Sequence, residues 1–299
     1  MSAVVVEDGV DKGAIWHFGE PVKEQRALEA GTAWADLSHL NIVAVSGEDR
    51  LKWLHDLTTQ FLNDLSVGIW KPALILDPKG HIEYQFNLVD DGTTTWLVID
   101  PGYTEALITY LTKMKFMLRV DVRDATSEFA VMRAPGNATE IGGPFSLVPR
   151  EELTQMSETF NAVATQVGTW ALDAERVASG RPRIGFETDH KSIPNEIGVL
   201  NGAVHMNKGC YRGQETVAKV FNLGNPPRRL VMLHLDGSDA AFPAKGSPVE
   251  NDGVVVGFIG TVARHHELGT IALAIIKRNT AAEAVLTVEG VPASQQIIV

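Results

Sequence analysis

Two adjacent prolines, Pro226 and Pro227, mark the point at which the sequence changes its rhythm. Neither can donate a ladder hydrogen bond, and each restricts the residue before it, so no regular element is expected to run through the pair. Beyond them the apolar residues gather into short runs, Arg229 to Leu235, Val254 to Val262, Gly269 to Ile276 and Ala284 to Val288, punctuated by Asp252-Gly253 and Glu289-Gly290. Such spacing predicts a small all-β barrel or sandwich for residues 226–299.

Residues 1–225 mix the two hydrophobic periods. Leu51, Leu54, Leu57, Phe61 and Leu65 recur three or four apart, which predicts a helix from Glu48 to Leu65. Ala73 to Leu76, Ile82 to Val89 and Thr93 to Ile99 read as strands, the last two joined as a hairpin through Asp90-Asp91-Gly92. A second helix is expected over Tyr103 to Lys115, then a strand over Phe116 to Val122, and helices near Glu151 to Phe160 and from Thr169 to Ser179, stopped by Gly180 and Pro182. Pro21 to Ala30 lacks strong phasing, and Ile184 to Asn225 reads as irregular, which in a compact domain points to function. The expected class is α+β, with two α/β lobes built from discontinuous stretches of residues 1–225 and a separate barrel after them.

Composition narrows the chemistry. At 299 residues the chain has enough length for about two domains and a sizeable core. Its net charge of −11 opposes phosphate backbones and anionic lipid, so no direct nucleic-acid partner and no membrane partner are expected. The longest apolar runs resemble Ile271 to Ile276, far short of the ~20 residues of a membrane helix. Glu7, Asp8 and Asp11 stand where a signal peptide would be apolar, so a cytoplasmic location is expected. One cysteine excludes an intrachain disulfide and a Cys-only metal or cluster cage. No glycine-rich phosphate loop is present.

The densest string is Lys208-Gly209-Cys210-Tyr211-Arg212-Gly213-Gln214-Glu215. A thiol between two cations is a thiolate waiting to form, and Lys208 and Arg212 are the expected activators of Cys210. Gly209 and Gly213 would permit tight turns or close ligand approach. The alternative is that Cys210 is a small buried hydrophobe in a turn.

This string resembles the K-G-C-Y-x-G-Q-E signature of the YgfZ family of folate-binding proteins, relatives of the glycine-cleavage T-protein, an aminomethyltransferase. Asp36-Leu37-Ser38-His39, Gly47 to Asp64, Arg176 to Pro182 and Val262 to Arg278 resemble further T-protein elements, so the likeness spans nearly the whole chain. The resemblance implies a three-lobed folate-binding fold ending in a β-barrel, a tetrahydrofolate cofactor held near the interface of the α/β lobes, and a role in assembling or repairing iron–sulfur client enzymes, including tRNA-modifying ones. On this reading Cys210 is the working group. Lys208, Tyr211, Arg212, Gly213, Gln214, Glu215, Arg176 and Glu187 are the folate-binding candidates.

Two departures bear on activity. Tyr84 and Gln85 stand where the T-protein strand carries carboxylates, and neither is a base at neutral pH. Ala178 replaces the glutamate of the R-x-E-x-G element, so a pterin contact would have to come from Glu187, Asp189 or Glu196. An aminomethyltransferase or demethylase is therefore the alternative reading, and a folate module with a structural cysteine a third. Arg228-Arg229 could answer a folate glutamate tail, or stand solvated at the domain boundary. His205 is a possible proton partner of Cys210, while His39 reads as structural. Arg264-His265-His266-Glu267 reads as a solvated hairpin tip, and no metal site is expected.

Overall fold

The computed structural model describes residues 3–236 and 242–299; Met1 and Ser2 of the N-terminal segment and residues 237–241 of the barrel region lie outside it. The chain divides into two compact units. The first comprises residues 1–75, 84–171 and 202–212, and the second residues 76–83, 172–201 and 213–299. Among the described residues no helix is long and apolar enough to cross a membrane.

The first unit is built on a five-stranded sheet in the order Lys71–Leu76, Ile82–Asp90, Thr94–Ile99, Asn41–Ser46 and Asp121–Asp124. The expected hairpin is present, with Asp91 closing it by accepting the N–H groups of Thr93 and Thr94. Helices Arg50–Leu57 and Thr104–Met114 cover a core that includes Val43, Leu54, Ile75, Leu88, Leu97 and Leu107. A four-stranded sheet, Phe145–Pro149, Phe129–Arg133, Ala33–Asp36 and Thr165–Gln166, buries Trp34 beside Met132.

Four sequence expectations are corrected here. The helix expected over Glu48 to Leu65 ends at Leu57, because Thr58 turns extended at φ −104°, ψ 166°. The expected strand Phe116 to Val122 shrinks to Asp121–Asp124, since Phe116 adopts φ 44° and opens a turn. Pro21–Glu29 is a helix, with Pro21 at its start. Its phasing was hidden because its buried face includes Glu24 and Gln25; the Glu24 carboxylate accepts the N–H groups of Phe18 and Gly168. Finally, the irregular stretch Ile184 to Asn225 contains a ten-residue helix, Gln214–Leu223. Gly213 and Gly224, read as breakers, cap its two ends in left-handed backbone instead.

The second unit holds a closed six-stranded barrel in the order Arg228–Leu235, Gly269–Lys277, Val254–His265, Pro248–Asn251, Leu286–Val288 and Val291–Ile297. The pattern of short apolar runs after Pro227 thus closes on itself, which leaves no sheet edge. Pro248–Asn251 and Val291–Ile297 carried too few apolar residues to be read as strands; their barrel positions come from pairing. Val231, Leu233, Ile259, Ala274 and Leu286 fill the interior. The expected tip at Arg264 to Glu267 is a hairpin turn, where His265 Nδ1 accepts the N–H groups of Glu267 and Leu268.

Candidate functional site

The signature string divides between the units after Arg212. Within the first unit, its root is a seam between two distant segments. Helix Arg50–Leu57 ends with carbonyls that lack helical partners. Beyond it, Thr58, Thr59 and Gln60 are buried polar residues; the Thr58 hydroxyl has no hydrogen-bond partner among the described residues, while Thr59 and Gln60 find theirs on segment 202–208. The Thr59 hydroxyl donates to Ala203 O at 2.6 Å, the Gln60 amide donates to Gly202 O at 2.8 Å, and His205 N–H donates to Thr59 O at 2.9 Å.

Lys208 closes the seam. Its ammonium is buried and donates to the carbonyls of His55, Thr58 at 2.5 Å and Gln60 at 3.2 Å. An ammonium has three N–H donors, and three carbonyls use them all. The expected activator of Cys210 therefore spends its hydrogen bonds on backbone. A cation at a helix C-terminus is also favoured by the helix dipole. Burial pushes the Lys208 ammonium down to about 8, since a dry cage of neutral dipoles disfavours the charged form.

Beyond Lys208 the loop surfaces. Cys210 is exposed, while Tyr211 is buried with its ring 5.2 Å from the Lys208 ammonium. Burial raises the Tyr211 phenol to about 12, so it stays protonated at neutral pH. Arg212 carries its guanidinium 5.7 Å from the centre of the Tyr110 ring. Tyr110 in turn lies 6.0 Å from Tyr84, and its hydroxyl is buried with no hydrogen-bond partner among the described residues. Sequence reasoning missed Tyr110, which reads only as one more residue of an amphipathic helix.

The other candidate histidines sit around the same seam or away from it. His55 is buried, its Nδ1 accepts Leu62 N–H at 3.2 Å, and its ring meets Phe61 edge-on at 4.9 Å. Burial first, and the nearby Lys208 charge second, hold its pKa below the usual histidine value. His205 is exposed, 5.1 Å from Phe61. His39 pairs with Asp11 at 3.1 Å, a structural role as expected.

In the second unit, Gly213 is the glycine that the string requires. It has φ 80°, and a Cβ there would stand 2.6 Å from Asp77 O. Gly209 has no such constraint, with open space where a Cβ would go. Gln214 and Glu215 form the first turn of helix Gln214–Leu223.

The second unit also gathers Arg176, Glu187, Asp189, Glu196 and Arg228. Arg176 makes five hydrogen bonds, to Asp173 (two), Glu187, Arg181 O and Thr261 Oγ1, which accounts for every N–H on its guanidinium. Glu187 is fully buried and accepts from Arg176, from Arg183 N at 2.8 Å and from Thr261 N at 2.7 Å. Gly260 gives it room, since a Cβ there would fall 2.4 Å from Glu187 Oε1. Arg228 grips Glu196 and Asp189 in two forked pairs with four bonds of 2.7 to 3.1 Å. Burial works against these charges, but the mutual hydrogen bonds outweigh it, so the Arg228 pKa is raised and that of Asp189 lowered.

The carboxylates expected to replace the missing pterin contact are thus held by arginines and backbone. Arg228 is held by the carboxylates of Asp189 and Glu196. Arg229 is buried on the carbonyls of Arg278 and Thr280 and on Gln295. Arg176 and Glu187, expected on the folate, form a latch that joins helix Thr169–Ala178 and the stretch after it to the barrel strand Val254–His265.

No family model matches the chain. It is 24% identical over 267 residues to an iron–sulfur cluster assembly factor IBA57 homolog, mitochondrial, of Mycosarcoma maydis, which covers 76% of this chain and 66% of the relative. It is 23% identical over 231 residues to the tRNA-modifying protein YgfZ of Colwellia psychrerythraea, covering 67% of this chain and 70% of the relative. The chain likewise spans 66% of the length of a chloroplastic relative from Arabidopsis thaliana, at 26% identity over 293 residues. The crystal structure of the glycine cleavage system aminomethyltransferase T from Bartonella henselae superposes with a TM-score of 0.81 at 15% identity, covering 97% of this chain and 92% of that one. The fold is therefore that of an aminomethyltransferase T.

Proposed function

We propose that this chain, which belongs to the superfamily of YgfZ and aminomethyltransferase proteins, binds a reduced folate and serves iron–sulfur enzymes as an accessory factor, with Cys210 as its working thiol. The observation that carries this reading is the presentation of Cys210: an exposed thiol two residues beyond a buried clamp, beside a buried tyrosine. A structural cysteine would be packed away. The names of the fungal and bacterial relatives, a cluster assembly factor and a tRNA-modifying protein, favour iron–sulfur clients, tRNA-modifying enzymes among them. A net charge of −11 disfavours direct contact with the nucleic acid itself. A reducing compartment, the cytoplasm in the first instance, suits a single thiol kept reduced.

The residues of the first unit suit part of a folate. Tyr84 and Tyr110 offer aromatic faces for the aminobenzoyl ring, the orphaned Tyr110 hydroxyl offers a buried polar atom, and the Arg212 guanidinium suits a glutamate carboxylate. Glu187, Asp189 and Glu196, the carboxylates considered for the pterin, are held by arginines and backbone N–H groups. A bound folate would supply one-carbon chemistry; this chain's own residues would orient the ring and keep water from it.

Calorimetry with tetrahydrofolate tests the ligand. Binding tighter than millimolar, about −4 kcal/mol, supports the reading, and none at that level removes it. Complementation tests the thiol: Cys210→Ser should keep its melting temperature and folate affinity yet fail to restore iron–sulfur enzyme activity in cells lacking the protein.

Aminomethyl transfer is the second reading, favoured by the fold match. Tyr84 and Gln85 offer no carboxylate base on the strand Ile82–Asp90. We expect no release of ammonia and methylene-tetrahydrofolate from an aminomethyl carrier, and robust release would install this second reading instead.

A further inference from the structure

We infer that Lys208 is a positioning residue: by locking its ammonium into the carbonyl cage of His55, Thr58 and Gln60, it sets the order and direction of the loop that carries Cys210, rather than activating the thiol by its charge. Four facts converge on this role. All three donors of the ammonium are used within the cage. The cage carbonyls lie about 150 positions earlier in the chain, with separations of 153, 150 and 148 residues, so the bonds tie the loop to a remote, rigid helix end. The Thr59, Gln60 and His205 bonds run along the same seam and stop at Lys208. A single residue, Gly209, separates this fixed point from Cys210 and its exposed thiol.

Charged and titratable groups surround the cage. Asp56 and the His55 ring come from helix Arg50–Leu57, Asp64 from the segment beyond it, and His205 and Tyr211 from the loop's own segment. None of them offers a second anchor of three bonds. Losing the ammonium would leave three backbone carbonyls without donors, and the stretch through Gly209 and Cys210 would lose its anchor on the side before the thiol, keeping only the buried Tyr211 and the Arg212–Tyr110 contact after it. The inference gains its functional weight from the reading of Cys210 as the working thiol, but its test does not depend on that reading.

Because Cys210 is the sole cysteine, a nitroxide attached there reports the loop and nothing else. The labelled protein should give a restricted spectrum. Labelled Lys208→Met should give a mobile one, with rotational correlation time shortened several-fold, while its far-UV circular dichroism still shows a folded chain. Lys208→Arg, which keeps a cationic donor, should recover part of the restriction. In unlabelled protein, the pH midpoint of Cys210 alkylation should be the same in wild type and Lys208→Met. A midpoint that rises by a unit with unchanged label mobility would establish charge activation and overturn the inference, as would wild-type mobility in a folded Lys208→Met. Should that variant fail to fold, Thr59→Val decides: it removes one hydroxyl bridge from the same seam, and increased mobility supports the inference while wild-type mobility overturns it. A mobile Lys208→Met loop combined with full complementation by Cys210→Ser would leave the positioning role standing and remove only the thiol's function.

Discussion

The Lys208 cage in the first unit and the Arg176 and Arg228 ion pairs in the second each bury cations, but with opposite partners. The lysine faces neutral carbonyl dipoles, so its charge remains uncompensated and burial lowers its pKa to about 8. The arginines face carboxylates, which cancel the charge and raise the pKa of both, although burial opposes it. Carbonyls bond a cation without neutralising it, so such a site responds to pH within the physiological range. Forked arginine–carboxylate pairs keep both charges through the neutral range. The first arrangement suits a loop that presents a reactive group, and the second suits a fixed scaffold.

The contrast can be broken most forcefully at Glu187. Glu187→Ala would take one carboxylate from the buried Arg176 guanidinium, which keeps Asp173, and leave two buried backbone N–H groups without their acceptor, and we expect a loss of about 3 to 5 kcal/mol in denaturant unfolding. A loss under 1 kcal/mol would mean that the pairs are not a scaffold. Lys208→Met should cost less, about 1 to 3 kcal/mol, because it orphans carbonyls but also removes a desolvated charge. The same variant sharpens the comparison through pH. The folded Lys208 value, about 8, lies below the unfolded 10.5, so the native state binds fewer protons between them and wild-type stability should rise across that window. Lys208→Met should lose that rise.

Acid should separate the two places further. His55 has a folded pKa below its usual 6.5, so its contribution is complete above 6.5 and is lost as pH falls through the lowered value. Asp189 is also lowered, from 3.8, and the Arg228 pairs should hold until pH falls below that. Melting temperature against pH should therefore show an early step, removed by His55→Gln, before any step removed by Asp189→Asn. A single step common to both variants would contradict the assignment. The smallest stability effect is expected at Cys210, where an exposed thiol replaced by serine should change unfolding by less than about 0.5 kcal/mol. A loss of 1 to 3 kcal/mol would instead identify a buried structural cysteine.

Much of the architecture was legible because it rests on local rules. Alternation and turn dipeptides place the hairpin at Asp90 to Gly92, and the three- and four-residue spacing of Leu107, Leu111 and Met114 places helix Thr104–Met114. The short runs after Pro227 announce a β domain, although only pairing among six strands turns it into a closed barrel. The helix Gln214–Leu223 escaped notice because its flanking glycines look the same in sequence whether they break a helix or cap one.

The sequence alone determined that Cys210 stands between two cations, in a string that resembles the YgfZ signature, and that no other thiol could take its place. Only the tertiary structure decided what those cations do. Nothing local turns the chain at Thr58, since the apolar spacing runs on to Leu65; the helix stops because Thr58 to Gln60 bond to segment 202–208. Likewise, Lys208 lies two residues from Cys210 in the chain, yet sequence proximity does not fix the direction of a side chain with four rotatable bonds. Three carbonyls about 150 residues away fix it, because a buried ammonium settles where all three of its protons find acceptors.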